Sequence, residues 1–323
     1  VIIPLAMGPP FMVAPGQYER GRGRTQTARR ACRMSSMPPS SIYLVIGVQD
    51  LWKTLLVAIA VIALSGAAAA QPVTPVDLEL VLAVDISGSV DDEEARLQRN
   101  GYVGALTSPE VVRAVTSGML GRIAVTYMEY AGAAFSEVVV GWSLIEDMAS
   151  AEAFARKLAA APIRTEVWTS IAHAIDFALP LFADNAFEGT RQVIDVSGDG
   201  PNNNGVLVTD ARARAQALGV TVNGLPIING RVSPSGWPQM ENLDWYYEDC
   251  VITGPTSFIV VANSFQDFAR AIRRKLVLEI ANATPLQQDD ERGGVWLRFA
   301  KTDRPRIPCD AGEKRLEDHM ETY

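Results

Sequence analysis

Between Val76 and about Ala281 the chain alternates short apolar runs with longer segments in which apolar positions recur every three or four residues. The first pattern reads as buried strands and the second as amphipathic helices. Six strands are predicted, over 78–85, 122–130, 135–142, 191–197, 220–226 and 258–262. Helices are predicted over 91–106, over 150–160 with Ser150 as N-cap, over 169–182, over 209–218 ended by Gly219, and over 264–280. Shorter ones are expected over 109–116 and 240–249. The third strand follows the second so closely that a hairpin must join them. The fold class predicted is therefore α/β: a doubly wound, mostly parallel six-stranded sheet with one antiparallel strand and helices on both faces.

The flanks do not share this pattern. Residues 51–70 carry Lys53, an apolar core over 55–64 and the small-residue stretch Ala68-Ala69-Ala70, the order of a secretory signal peptide cleaved near Ala70. The apolar core falls short of the ~20 residues a membrane span requires, so no stable span is expected after cleavage. Residues 1–50, rich in Pro, Gly, Ser and Arg, read as a start-site extension or a disordered leader. Residues 282–323 are polar and interrupted by Gly and Pro, and a loosely held or disordered tail is expected there. The domain itself is placed at 76–281.

Charge sharpens this division. The chain has a net charge of −8, yet residues 1–70 contain seven Lys and Arg against Glu19 and Asp50. The mature portion is strongly acidic, which argues against nucleic acid or an anionic membrane as partner and fits a periplasmic or secreted protein. Of the three cysteines, Cys250 and Cys309 follow the cleavage site. An oxidising compartment would allow them to pair, and a free Cys250 is the alternative.

Candidate chemistry gathers after strand ends. The strand 78–85 runs into Asp85-Ile-Ser-Gly-Ser89, the strand 191–197 into Gly198-Asp199-Gly200, and Thr169 stands at the predicted start of a helix. In open α/β sheets, ligands bind at the carboxyl ends of the strands. Asp85, Ser87, Ser89, Thr169 and Asp199 offer only oxygen ligands, which suit Mg²⁺ first, with Mn²⁺ or Ca²⁺ as alternatives. Two carboxylates and three hydroxyls leave such an ion short of ligands, open to water or to an acidic group from outside.

In this order, Asp-x-Ser-x-Ser, then a threonine before Ala174-Ile175, then a strand ending in Asp-Gly, the sequence resembles the von Willebrand factor A (VWA) domain. In that family these residues form the metal-ion-dependent adhesion site, or MIDAS. The resemblance assigns Asp85, Ser87 and Ser89 to the first motif, Thr169 to the threonine (with Thr165 as rival) and Asp199 to the later aspartate. Gly198 stands where the family usually has threonine. Val193–Asn203, Asn223–Ile227 and Tyr246–Cys250 also resemble an exported bacterial subfamily of uncharacterised VWA-like proteins. The resemblance implies a docking module, not an enzyme, in which the ion bridges to an acidic residue of a protein partner.

Other residues are open to two readings. Asp195, inside a central strand, could support the metal loops or serve as a structural hydrogen-bond partner. Trp168, Arg231 and Trp237 are expected on the same face, as a partner-contacting rim or as ordinary loop packing. Glu129 is expected to be solvated at a strand terminus. His173 and His319 form no cluster for zinc or a catalytic triad. The rival functions are a metal-free scaffold in which Asp85 caps a helix, and a Mg²⁺-dependent hydrolase of haloacid-dehalogenase type, which would need an aspartate where Ser87 stands.

Overall fold

Glu79–Asp85 is buried at every residue, as a strand covered on both faces must be. It belongs to a computed structural model that describes residues 73–282 except Asp184, Pro234 and Ser235, together with 297–298 and 304–321. The leader and signal segment expected over 1–50 and 51–70 lie outside the described residues. The strands are β1 (Thr74–Val76), β2 (Glu79–Asp85), β3 (Ile123–Tyr130), β4 (Ser136–Ile145), β5 (Phe187–Gly189), β6 (Gln192–Gly198), β7 (Thr221–Pro226), β8 (Ile259–Val260) and β9 (Leu297–Arg298). The helices are α1 (Asp92–Leu106), α2 (Pro109–Thr116), α3 (Met148–Ala160), α4 (Ile171–Ala178), α5 (Val208–Ala217), α6 (Leu243–Tyr246), α7 (Phe265–Ile280) and α8 (Ala311–Glu321). A 3₁₀ turn, Leu179–Phe182, extends α4, and a π-helical turn, Tyr247–Val251, extends α6.

All six predicted strands meet in one sheet of order β4-β3-β2-β6-β7-β8-β9. Neighbours from β3 to β8 are parallel, and β4 is antiparallel to β3, as the short connection requires. β9 adds an antiparallel edge strand, and β1 pairs with β5 in a separate two-stranded ladder. These three strands have two or three residues each, too few to show periodicity. The chain leaves β2 for β3 on one side and returns to β6 on the other. The order thus reverses about β2, and the carboxyl ends of β2 and β6 lie side by side there.

Alternation along β2 divides the core between two layers. Leu80, Leu82 and Val84 pack with residues of α1, α2, α3 and α7, while Val81 and Ala83 pack with residues of α4, α5 and α6. Both faces of the sheet are covered, as the fold class requires. The cap of α3 differs from expectation. Asp147 is the N-cap, accepting from the Ser150 N–H, and Ser150 sits one turn inside, bonding back to the Asp147 N–H. Glu129 is not solvated either: it is buried and paired with Arg99 of α1.

The tail also departs from expectation. Cys250 and Cys309 form a disulfide spanning 59 residues. Arg304 pairs with Glu248 (2.6 Å) and Asp249 (2.8 Å) and lies over the Trp245 ring, 4.6 Å from its centre. Residues 304–321 are thereby held on the domain. A polar helix with no apolar face of its own to bury depends on such fasteners, which composition alone does not reveal.

Asp195 points into the layer beneath α7. Its carboxylate lies 2.6 Å from the Lys275 amino group, which is fully buried and also 2.6 Å from Glu279. Asn223 donates to the same Glu279 carboxylate at 2.9 Å. Deleting one member of a buried ionic group strands the others without counter-charge. We predict that Lys275→Met loses about 3–5 kcal/mol of unfolding free energy, read from urea denaturation at neutral pH. A loss below about 1 kcal/mol would show the cluster to be dispensable.

Candidate functional site

Three loops bring the five predicted residues to the carboxyl ends of β2 and β6. The first leaves β2 at Asp85, whose Oδ1 accepts the Ser87 N–H at 2.8 Å. The turn closes from Val90 N–H to the Ser87 carbonyl (3.0 Å), and Asp91 then caps α1 in a capping box with Glu94. Asp85 does not cap the helix, because Asp91 occupies that position.

Thr169 lies in the second loop, which is pinned on every side. Glu166 N–H donates to the Ile86 carbonyl of the first loop, Gly132 N–H to Val167, and Ser170 N–H to Ala131. Ser170, not Thr169, caps α4. Trp168 has a φ of 63°, a strained conformation for a bulky residue, sustained by these flanking bonds. The third loop continues from β6 through Asp199 to Asn203. Thr169 N–H donates to the Asn203 side chain and Asn203 N–H returns to the Thr169 carbonyl, both at 2.9 Å. This reciprocal clamp sets the distance between the Thr169 and Asp199 loops.

The polar atoms form a continuous row. Ser87 Oγ lies 3.0 Å from Ser89 Oγ, and Ser89 Oγ donates to Asp199 Oδ1 at 2.5 Å. The Thr169 hydroxyl stands 3.8 Å from where a Cβ on Gly200 would be. Gly198 has a specific reason to be glycine. A Cβ there would lie 2.8 Å from Asp85 Oδ2, 2.9 Å from the Tyr247 hydroxyl and 3.0 Å from the Tyr130 hydroxyl. The threonine usual in the resembled family would not fit without displacing the Asp85 carboxylate.

Both carboxylates are costly where they stand. Asp85 is fully buried and Asp199 is 5% exposed, and neither has an ion-pair partner among the described residues. Asp85 Oδ2 is buried with no hydrogen-bond partner. Burial, reinforced by the charge of Asp199 and opposed by the Ser87 N–H, pushes Asp85 up to about 8. Burial also raises Asp199 to about 6, opposed by Ser89 and reinforced by Glu94. Hard oxygen donors, an orphaned carboxylate oxygen and an uncompensated charge fit a divalent cation. Among the described residues no three His, Cys, Asp or Glu side chains form a metal-binding group, so any such site relies on the hydroxyls.

Ser87, Ser89, Thr169 and Asp199 line a cavity of about 630 Å³, whereas Asp85 is fully buried and is not part of its lining. Trp168 and Trp237 both line the cavity. Arg231 lines it as well but is engaged with α1, 2.7 Å from Glu94 and 3.5 Å from Asp91. Asp195 lies four residues back along the chain from Asp199, in the Lys275 cluster, and not in the loops that carry the candidate ligands. Asn202, Asn203, Asn229 and Gln239 were not singled out from sequence. Asn229 reaches Asp199 Oδ2 at 3.5 Å, and Gln239 donates to the Asp199 and Ile227 carbonyls. The run of asparagines after Asp199 was the available signal.

The chain belongs to the family described as protein of unknown function DUF1194, whose model matches residues 75–284. No curated protein matches the sequence. Solved structures to which it is similar include proximal thread matrix protein 1 from the mussel byssus with a zinc-occupied MIDAS motif (16% identity, 64% of this chain and 48% of that one, TM-score 0.47). Others are the pilus adhesin SpaC from Lactobacillus rhamnosus GG (15%, 65% and 31%, 0.46) and a von Willebrand factor type A protein from Catenulispora acidiphila (13%, 64% and 43%, 0.44). The chain spans less than half the length of each of these three proteins.

The raised carboxyl groups give the metal-free protein a pH signature. A carboxyl whose folded value exceeds its unfolded value favours the folded state while protonated, and that stability is lost as pH rises through the folded value. In chelator, stability should fall from about pH 4 to about pH 8, and Asp85→Asn should stabilise the protein near pH 8.5 while changing it little near pH 5. Asp195 titrates in the same window, so the difference between wild type and variant is the quantity to measure by urea denaturation. Equal stability of the two at pH 8.5 would show that Asp85 carries no such burden.

Proposed function

We propose that this chain is an exported protein-binding module whose docking point is a divalent cation, Mg²⁺ first, held by Asp85, Ser87, Ser89, Thr169 and Asp199. The observation that carries the reading is a pair of buried carboxylates without an ion-pair partner among the described residues: Asp199 lines an open cavity with Ser87, Ser89 and Thr169, and Asp85 lies fully buried next to Ser87 with Oδ2 unpaired. A bound cation would supply the missing charge and an electrophilic position for an acidic group of a partner. The chain's own residues do the rest. Asp85 is oriented by the Ser87 N–H, Asp199 by Ser89 and Asn229, and Thr169 by the Asn203 clamp. Arg231 neutralises Asp91 and Glu94 beside the site, which favours the approach of an acidic partner. Export is supported by the signal-like segment 51–70 and by the Cys250–Cys309 bridge, which suits an oxidising compartment.

Addition of Mg²⁺, Mn²⁺ or Ca²⁺ at about a hundred times its Kd should stabilise the protein by about 2.7 kcal/mol, read as a rise in Tm that EDTA reverses. Asp85→Ala and Asp199→Ala should abolish that rise. Absence of any response in wild type would overturn the cation reading. Because the ligands must be deprotonated, apparent affinity should increase as pH rises from about 5.5 to about 8. In affinity capture from periplasmic extract, wild type should retain a partner that EDTA releases and that Asp199→Ala fails to hold. Retention by both proteins would place the docking surface elsewhere.

A further inference from the structure

The family match ends at residue 284, yet residues beyond it reach the cavity. Gly312, Arg315 and Leu316 of α8 line it together with Trp168. Gly312 rests on the Asp199 loop so closely that a Cβ there would overlap the Asn202 carbonyl, at 1.9 Å. Glu313 accepts from the Asn202 side chain at 2.6 Å, and Asn202 in turn accepts the Ala172 N–H at the start of α4. The disulfide, the Arg304 ion pairs and an Ile307 N–H bond to Asp249 (2.9 Å) fasten the segment from behind.

Arg315 is the informative residue. It is half-buried, donates one bond to the Pro238 carbonyl (2.8 Å), and has no acidic partner among the described residues. Arg231, also in the lining, has Glu94 and Asp91. Apolar side chains share the cavity lining with Arg315: Leu316 next to it in sequence, Trp168 and Val167 (44% and 66% exposed) from the Thr169 loop, and Val232 (62% exposed) from the loop after β7. A guanidinium with open donors among exposed apolar side chains complements a carboxylate attached to an apolar body. A cavity of about 630 Å³ has the capacity of a ligand pocket.

We propose that α8 is the specificity wall of this site, with Arg315 and Leu316 selecting a peptide in which a carboxylate stands next to an aromatic or large aliphatic side chain. The proposal rests on the cation reading for the position of the site, but Arg315 contributes its own recognition. Loss of the disulfide releases the wall, so the Cys250–Cys309 bridge maintains selectivity.

The test uses the full chain, tryptophan emission and three blocked dipeptides, Ac-Asp-Phe-NH₂, Ac-Asn-Phe-NH₂ and Ac-Asp-Gly-NH₂, with Mn²⁺ affinity measured separately by calorimetry. Ac-Asp-Phe-NH₂ should saturate below about 10 mM, and each control should bind at least about tenfold more weakly. Arg315→Ala should weaken Ac-Asp-Phe-NH₂ by about tenfold while Mn²⁺ affinity stays within about twofold, and Arg315→Lys should recover part of the loss. The Cys250→Ser/Cys309→Ser pair should show the same peptide loss. The proposal is overturned if Arg315→Ala binds the peptide like wild type, if the asparagine control binds equally, or if no dipeptide saturates. Mn²⁺ binding with an inert Arg315 would leave the cation site standing and remove the wall. Peptide discrimination without Mn²⁺ binding would do the reverse.

Discussion

Two aspartates buried at the ends of adjacent parallel strands, with no basic side chain paired to them among the described residues, set the terms for the rest of this structure. An uncompensated charge in a protein interior costs several kcal/mol unless it is neutralised by a proton or a counter-ion. Gly198, lacking a side chain, leaves the space into which the Asp85 carboxylate and the Tyr130 and Tyr247 hydroxyls project, and a row of serine hydroxyls leads to Asp199. The loops around this row are cross-braced by backbone bonds, including Glu166 N–H to Ile86, Ser170 N–H to Ala131 and Asn203 N–H to Thr169. A proton would answer this charge, and under the proposed function a cation would answer it instead.

Much of the fold was legible because its signals are periodic. β2, β3 and β6 are runs of six or more apolar or buried positions, and α1, α5 and α7 begin and end within about two residues of expectation. The five candidate ligands were legible for a different reason: each follows a strand end or opens a helix, places where side chains converge without long-range information. The structure brings all five to the same crevice. What remained hidden depended on partners distant in sequence. The end of a strand points Glu129 to solvent, because strand termini are commonly wet, but Arg99 reaches it from α1. Asp195 could be assigned either to the site or to the core, and only the position of Lys275, eighty residues on, decides for the core.

The C-terminal segment shows the same limit more sharply. Its composition is that of a tail, and α8 has no continuous apolar face to declare a packing surface. Its order comes from a covalent bond, an arginine shared between two acids and one glycine against a carbonyl. None of these has a periodic signature. The sequence allowed the two cysteines to pair or remain apart, and the geometry of α6 and its π-helical extension, which carries Cys250, settles the matter.

The comparison between the two acidic clusters on β6 bears most directly on function. Asp195 and Asp199 lie four residues apart, about 13 Å along an extended strand. Both are buried, and burial raises both above the ordinary carboxylate range. At Asp195 the fold supplies its own cation, Lys275, and completes the group with Glu279 and Asn223. At Asp199 it supplies hydroxyls and a second aspartate. A core that could place a lysine beneath one carboxylate had the means to place one beneath the other. The missing counter-charge at the cavity floor is therefore a local feature of the site and not a general property of this interior. That contrast separates a carboxylate whose charge the fold answers from one whose charge it leaves unanswered, which is the difference the proposed cation site would use.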